Sequence, residues 1–340
     1  MNLKDAKFKN FALVQEMLET PDVMRRFDFG RSGQNAQIIK EAGRLFLTGE
    51  GSSRIFPAKN MMYEVLRLGI PLSVSTEGSR QAHEYDLAGF AVYGASNSGK
   101  TKELISLFTQ LAKQGHGRRF GLTATPHSML ESASNRCDTL ICGPEKAVAA
   151  TKSVVEQALY YRSILCHLEK EQSDVVKNQP VASAKAREVL EAELDPALVQ
   201  AIVAAPMIYF AGRNNGVAEE LTLKTNEITR KKSDYLEGTY AVHGIEEVMN
   251  REDVVIVVDP FPGEAQKFKE TLVDNIGMKI IAISAQETIF PTIRIPSVPG
   301  YDTVLQLLAG WNVLVNVGIA SGINLDKPVR ARKIGNEFVG

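Results

Sequence analysis

Little in these 340 residues points to a secreted or membrane-bound protein. Three cysteines, Cys137, Cys142 and Cys166, form neither a C-x-x-C pair nor an even-numbered framework, which excludes a disulfide scaffold and leaves reduced, buried thiols. The start, Met1 to Asp5, has no apolar signal core. The longest apolar run, Ala201 to Ala211, is too short for a bilayer and contains Pro206. The reading is a cytoplasmic protein without membrane contact. A net charge of -1 supplies neither a basic field for nucleic acid nor an acidic excess for disorder, so an anionic ligand has to be held by a local site. His83, His116, His127 and His167 are scattered without ligand spacing, and neither a metal nor a cofactor is expected.

What is present is concentrated in one stretch, Val92 to Thr101. An apolar run, Leu87 to Tyr93, enters a turn of small and hydroxylated residues, after which Leu104, Ile105, Leu107, Phe108 and Leu111 recur at helical spacing. The pattern predicts strand, turn and helix. Unpaired N–H groups at the first turn of such a helix, with the hydroxyls of Ser96, Ser98 and Thr101 beside them, suit a phosphate. Gly94 to Thr101 also satisfies the nucleotide-binding pattern G-x-x-x-x-G-K-[ST], and Ser, Thr and Gly are ordinary cap and turn residues. Taken alone, the stretch leaves these readings open.

The remaining chain alternates in the same way. An amphipathic helix with Phe11, Val14, Met17 and Leu18 on one side breaks at Thr20-Pro21-Asp22, and a helix covers 33–43. Leu45 to Leu47 forms a short strand ending in Gly49-Glu50-Gly51-Ser52-Ser53, a second hydroxyl-rich turn, before a helix over 55–68. Further strands fall at 71–75, 120–124 and 139–142, with a long helix over 147–168. Strands alternating with helices predict an α/β fold with parallel sheets covered on both faces, and ligands beyond the carboxyl ends of the strands. The pattern then repeats about 160 residues downstream, where Met207 to Arg213, Val254 to Asp259 and Lys279 to Ile283 mirror the first copy. The predicted organisation is an N-terminal helical segment (1–30), a first domain (31–172) that binds phosphate, a connecting segment (173–195), a second domain (196–322) and a C-terminal tail (323–340). After Asp259 the second copy reads Pro260-Phe261-Pro262-Gly263-Glu264, which would repel a phosphate, so one phosphate site per chain is expected.

Both halves resemble SIS (sugar isomerase) domains, and the tandem is similar to the isomerase half of glucosamine-6-phosphate synthase over nearly the whole length. The likeness rests on Ser96-Asn97-Ser98-Gly99-Lys100-Thr101, Gly51-Ser52-Ser53, Val148-Ala149-Ala150-Thr151-Lys152, and Glu220-x-x-x-Lys224-x-x-Glu227-Ile228 followed by His243-Gly244. The resemblance implies two α/β/α sandwiches and a sugar-phosphate site built from Ser53, Ser96, Asn97, Ser98, Thr101, Val148 and Ala150. It also replaces the nucleotide reading.

The catalytic residues it implies are Glu227, Lys224, His243 and Lys333. Glu227 shuttles a proton between C1 and C2, paired with Lys224 at i,i+3 spacing. By the same resemblance His243 is expected to serve ring opening and to reach the neighbouring subunit's active site, which implies a homodimer. Lys333, after Asp326-Lys327-Pro328, neutralises the developing oxyanion or forms an imine. Two departures bear on the substrate: Ala150 replaces a family serine, and Arg332 replaces the alanine before the lysine, with Arg330 nearby. Asn2 stands where the synthase's glutaminase has its catalytic cysteine, and 340 residues leave no room for that domain. The expected activity is therefore an isomerising deaminase taking glucosamine 6-phosphate to fructose 6-phosphate and ammonia, or an aldose-ketose phosphosugar isomerase. The alternatives are a deglycase of a phosphorylated sugar-amino-acid adduct and a non-catalytic sugar-phosphate sensor.

Overall fold

The computed structural model describes residues 1–168 and 174–330. Helices α1 (Ala6–Lys9), α2 (Ala12–Arg26) and α3 (Gly33–Ala42) precede a strand-helix alternation. It runs β1 (Arg44–Gly49), α4 (Ile55–Leu68), β2 (Ser73–Gly78), α5 (Ser79–Ala82), β3 (Ala91–Ala95), α6 (Lys102–Lys113), β4 (Arg119–Thr123), α7 (Met129–Ala133), β5 (Arg136–Thr139) and α8 (Lys152–Leu168). After α9 (Asp174–Glu191) and α10 (Pro196–Ala204) it resumes as β6 (Met207–Gly212), α11 (Val217–Thr229), β7 (Lys232–Glu237), β8 (Val254–Val258), α12 (Ala265–Phe268), β9 (Lys279–Ser284), β10 (Thr292–Arg294) and α13 (Asp302–Ala320).

The strands form two five-stranded sheets, β2-β1-β3-β4-β5 and β10-β9-β8-β6-β7, and every pairing is parallel. Written from the other edge the second order is β7-β6-β8-β9-β10, the first order repeated. This is the duplicated α/β architecture that the alternation predicts. The chain divides into two compact units: a first with Asp22–Lys146 and Ala150–Gln179, and a second with Met1–Pro21, Ala147–Ala149 and Pro180–Val329.

Each unit has its own core. The central strands β3 and β8 are buried throughout, as parallel strands covered on both faces are. In the first unit Leu104, Leu107, Phe108 and Leu111, the apolar stripe of α6, pack with Phe46, Phe90 and Val92. In the second, Phe268 and Leu272 pack with Val255, Val257 and Ile280. Helix α13 is long and apolar enough to cross a membrane, but 78% of that stretch is buried inside the protein, which makes it a core helix.

Strand β2 lies at Ser73–Gly78 rather than 71–75, and three further elements depart from the sequence reading for visible reasons. Helix α2 does not break at Pro21 but runs through it. The missing N–H and the ring clash cost about 3 kcal/mol, and burial of Leu13, Val14, Met17, Leu18 and Met24 along one face offsets that. Strand β5 lies at Arg136–Thr139 rather than 139–142. The N–H groups of Ile141 and Cys142 donate instead to the buried carboxylate of Glu156, each at 2.7 Å, so the ladder ends with the bond from Leu140 N–H to Thr123 O. Helix α8 starts at Lys152 rather than at 147, because the N–H of Thr151 is taken by Glu145.

Candidate functional site

In the first unit the strand order reverses between β1 and β3, and the two hydroxyl-rich turns follow those strands. They lie against each other: a Cβ placed on Gly49 would fall 2.7 Å from the carbonyl oxygen of Ala95 and 3.2 Å from that of Ser53. The loop after β3 is closely tied. Ser96 N–H extends the ladder to Leu122 O at 3.0 Å, and Gly99 N–H donates to Ser96 O at 3.2 Å and Ser96 Oγ at 3.1 Å. The hydroxyls of Ser96 and Thr101 are 2.8 Å apart, and Ser98 Oγ accepts from Lys100 N–H at 3.2 Å. Gly99 sits at φ +64°, and a Cβ there would lie 2.3 Å from Cβ of Ser128, so no other residue fits.

Thr101 is the N-cap of α6 without a side-chain capping bond, so the hydroxyl leaves the first-turn N–H groups of that helix to an anion. Lys100 is exposed. In the turn after β1, Ser52 is buried and Ser53 half-buried. Glu50 reaches across to accept from Ser79 N–H at 2.8 Å. Burial pushes its carboxyl up, the Ser79 N–H opposes this, and Glu103 adds to the rise.

A residue that the sequence reading did not single out holds this loop in place. The buried carboxylate of Glu145 accepts from Asn97 Nδ2 at 2.9 Å, so the Asn97 side chain is engaged by protein rather than held open. Other donors to it include Thr151 N–H at 2.7 Å, Thr151 Oγ1 at 3.0 Å and Ser153 Oγ at 2.6 Å. Ala150, directly before Thr151, is half-buried; so is Val148, which groups with the second unit. A lone acid ahead of a small-residue segment was the only signal for Glu145.

In the second unit α11 carries the titratable constellation. Glu220, Lys224 and Glu227 stand four and three residues apart on one helical face. Lys224 Nζ is 0% exposed and lies 3.3 Å from Glu220 Oε1 and 2.8 Å from Glu227 Oε2. Burial by itself would strip its proton, but the carboxylates of Glu227 and Glu220 outweigh burial and hold the ammonium above the ordinary lysine value. Glu220 is fully buried, whereas the Glu227 side chain keeps 30% of its surface open.

His243 is exposed on the loop after β7, and among the described residues no hydrogen bond or ion pair joins it to Glu227. Tyr240 and Val248 on the same loop are 49% and 62% exposed. Lys333 and Arg332 lie outside the described residues; Arg330 is exposed. The segment leading to them is anchored, since Asp326 accepts from Ala12 and Leu13 N–H at 2.7 and 3.0 Å. Arg230, just past α11, donates to Asn324 O and Lys327 O at 3.1 and 3.0 Å.

The second unit also has a counterpart of the loop after β3. Asp259 N–H donates to Ile283 O at 2.8 Å, as Ser96 does to Leu122, and a Cβ on Gly212 would lie 3.1 Å from Val258 O, as one on Gly49 meets Ala95. Asp259 thus takes the place of Ser96, and Arg213 that of Glu50. The two pair at 2.5 Å, with the guanidinium 4.2 Å above the Phe261 ring. This crevice carries its own anion.

No family model matches the chain. It is 24% identical over 309 residues to the glutamine-fructose-6-phosphate aminotransferase (isomerizing) of Sulfolobus acidocaldarius, covering 85% of this chain and 49% of that protein. The chain therefore spans about half the length of this curated relative. Among solved structures it is similar to the C-terminal domain of glucosamine-fructose-6-phosphate aminotransferase from Francisella tularensis, with a TM-score of 0.75, 18% identity and coverage of 94% and 98% of the two chains. It is also similar to a glucosamine-6-phosphate deaminase from Thermotoga maritima, with a TM-score of 0.69, 18% identity and coverage of 95% and 98%. By its two sheets, their repeated strand order and these likenesses, the chain has the tandem SIS (sugar isomerase) domain fold and resembles the isomerase half of glutamine-fructose-6-phosphate aminotransferase.

Proposed function

We propose that this chain is an isomerising phosphosugar enzyme that converts glucosamine 6-phosphate to fructose 6-phosphate and ammonia. The observation that carries the reading is the Glu220-Lys224-Glu227 constellation. A lysine kept protonated by two carboxylates cannot act as the base at neutral pH, but it fixes one face of Glu227 and leaves that carboxylate partly open. Glu227 then takes the C2 proton of the open-chain amino aldehyde and returns it to C1. The imine left at C2 adds water and breaks down to the ketone and ammonia. Ser53, Ser96, Ser98 and Thr101 anchor the phosphate, so the reacting carbons are held at a fixed reach from it.

The names carried by the similar proteins, an isomerizing aminotransferase and a glucosamine-6-phosphate deaminase, support the same class. In this reading His243 assists ring opening across a homodimer interface. Its exposure beside Tyr240 and Val248 supports that role. Lys333 neutralises the oxyanion.

Incubation with glucosamine 6-phosphate is expected to yield equal amounts of ammonia and fructose 6-phosphate, and Glu227→Gln to abolish both. Turnover that survives Glu227→Gln would sink the assignment. Release of an amino acid from a phosphorylated sugar-amino-acid adduct, with glucosamine 6-phosphate untouched, would reassign the substrate.

A further inference from the structure

We propose that Glu145 is the positioning residue of the phosphate loop and acts through Asn97. The inference rests on the phosphate-anchoring role proposed above for Ser96, Ser98 and Thr101. Both oxygens of the buried carboxylate are used. Oε1 accepts from Thr151 N–H at 2.7 Å, Thr151 Oγ1 at 3.0 Å and Ser153 N–H at 3.4 Å, all at the start of α8. Oε2 accepts from Ser153 Oγ at 2.6 Å and from Asn97 Nδ2 at 2.9 Å.

A carboxylate at a helix N-terminus needs only the first set of donors to be satisfied. The Asn97 bond adds nothing to that cap, but it ties the loop to it. The carbonyl of Asn97 is fixed as well, accepting from Ala124 N–H at 3.1 Å, Thr123 Oγ1 at 3.2 Å and Thr125 Oγ1 at 3.1 Å. The residue between Ser96 and Ser98 is thus held by its side chain on one side and its backbone on the other. Hydroxyls on a loop so held are already in place when the anion arrives, and no ordering entropy remains to be lost on binding.

The test is a double-mutant cycle read by calorimetry, with fructose 6-phosphate and inorganic phosphate as probes. Glu145→Gln keeps the shape of the side chain but sets an amide against the Asn97 amide; Asn97→Ala removes the link from the other end. Each is expected to weaken both probes by about tenfold, the effect of a lost hydrogen bond to a charged group. The double variant is expected to be no weaker than the weaker single, because both changes cut one connection. The loss should fall on KM, with kcat changed by less than about twofold, since the chemistry lies with other residues.

Ser153→Ala removes the neighbouring bond to the same oxygen without touching Asn97, and should leave affinity within about twofold of wild type. Should Glu145→Gln fail to fold, Asn97→Ala against Ser153→Ala carries the comparison. Additive losses in the cycle, an unchanged Glu145→Gln, or equal losses from Asn97→Ala and Ser153→Ala would each overturn the inference and leave the proposed function standing. A wild-type protein that binds neither probe overturns both.

Discussion

Lys224 shows what one residue's surroundings can decide. An ammonium with no exposed surface is stabilised there by two carboxylates within 3.3 Å of it. Replacing it by methionine keeps the volume and sets Glu220 and Glu227 on one helical face without the cation between them. The expected cost is about 3–5 kcal/mol, the range for removing one partner of a buried pair, together with loss of turnover. The folded protein holds this proton more tightly than the unfolded chain does, since its value is raised from 10.5. The stabilisation is therefore complete below pH 10.5 and is lost as the pH rises through the folded value. Urea denaturation of wild type and Lys224→Met from pH 7 to 11 should show a gap that is constant at first and narrows only at the alkaline end. A gap that narrows toward pH 7 would mean that the lysine is neutral in the folded state.

At the scale of elements, the strand-turn-helix around Gly99 makes the sharpest demand on sequence. Gly99 and Gly143 have nearly the same positive φ, +64° and +68°, but only Gly99 is enclosed: a Cβ there meets Ser128, whereas at Gly143 nothing lies within 4 Å. Gly143→Ala should cost about 1 kcal/mol for the backbone conformation alone. Gly99→Ala should cost more in thermal unfolding and abolish phosphate binding, because Ser128 and the helix it caps must move. Equal melting temperatures for the two variants would show that the loop yields.

This element was legible because an apolar run, a hydroxyl cluster and a 3.6-residue period stand next to each other in the chain. So was Glu220-Lys224-Glu227, whose spacing alone puts the three on one face. What could not be read depends on side chains from elsewhere. Glu156 takes the amides of Ile141 and Cys142 and so ends β5 early. The buried face of α2 carries the helix through Pro21. Glu145 finds Asn97 only once both are folded.

Over the whole molecule, duplication explains why a chain with two similar units is expected to hold one phosphate. The backbone of the second copy repeats the first down to the ladder bond, with Asp259 N–H to Ile283 O where Ser96 N–H goes to Leu122 O. What differs is charge: Asp259 replaces a hydroxyl with a carboxylate, and Arg213 neutralises it at 2.5 Å. Burial raises the Asp259 carboxyl while Arg213 pulls it back down, as an ion pair in a half-buried crevice requires. An arriving phosphate would have to displace that carboxylate and meet Glu264 beside it. Calorimetry should therefore count one fructose 6-phosphate per chain. Ser96→Asp tests that charge in the first copy, with thermal unfolding as the control for folding, because Ser96 is 1% exposed whereas the Asp259 side chain is 42% exposed on a backbone at φ +48°. A folded Ser96→Asp variant should lose fructose 6-phosphate binding by more than about a hundredfold, because no arginine stands at Glu50 to neutralise the new carboxylate against the phosphate dianion. Adding Glu50→Arg should not restore binding, since the pair would then close the first crevice as Arg213 and Asp259 close the second. Restored binding in the double variant would mean that the arginine serves the phosphate directly, and that charge at these two positions is not what separates the copies.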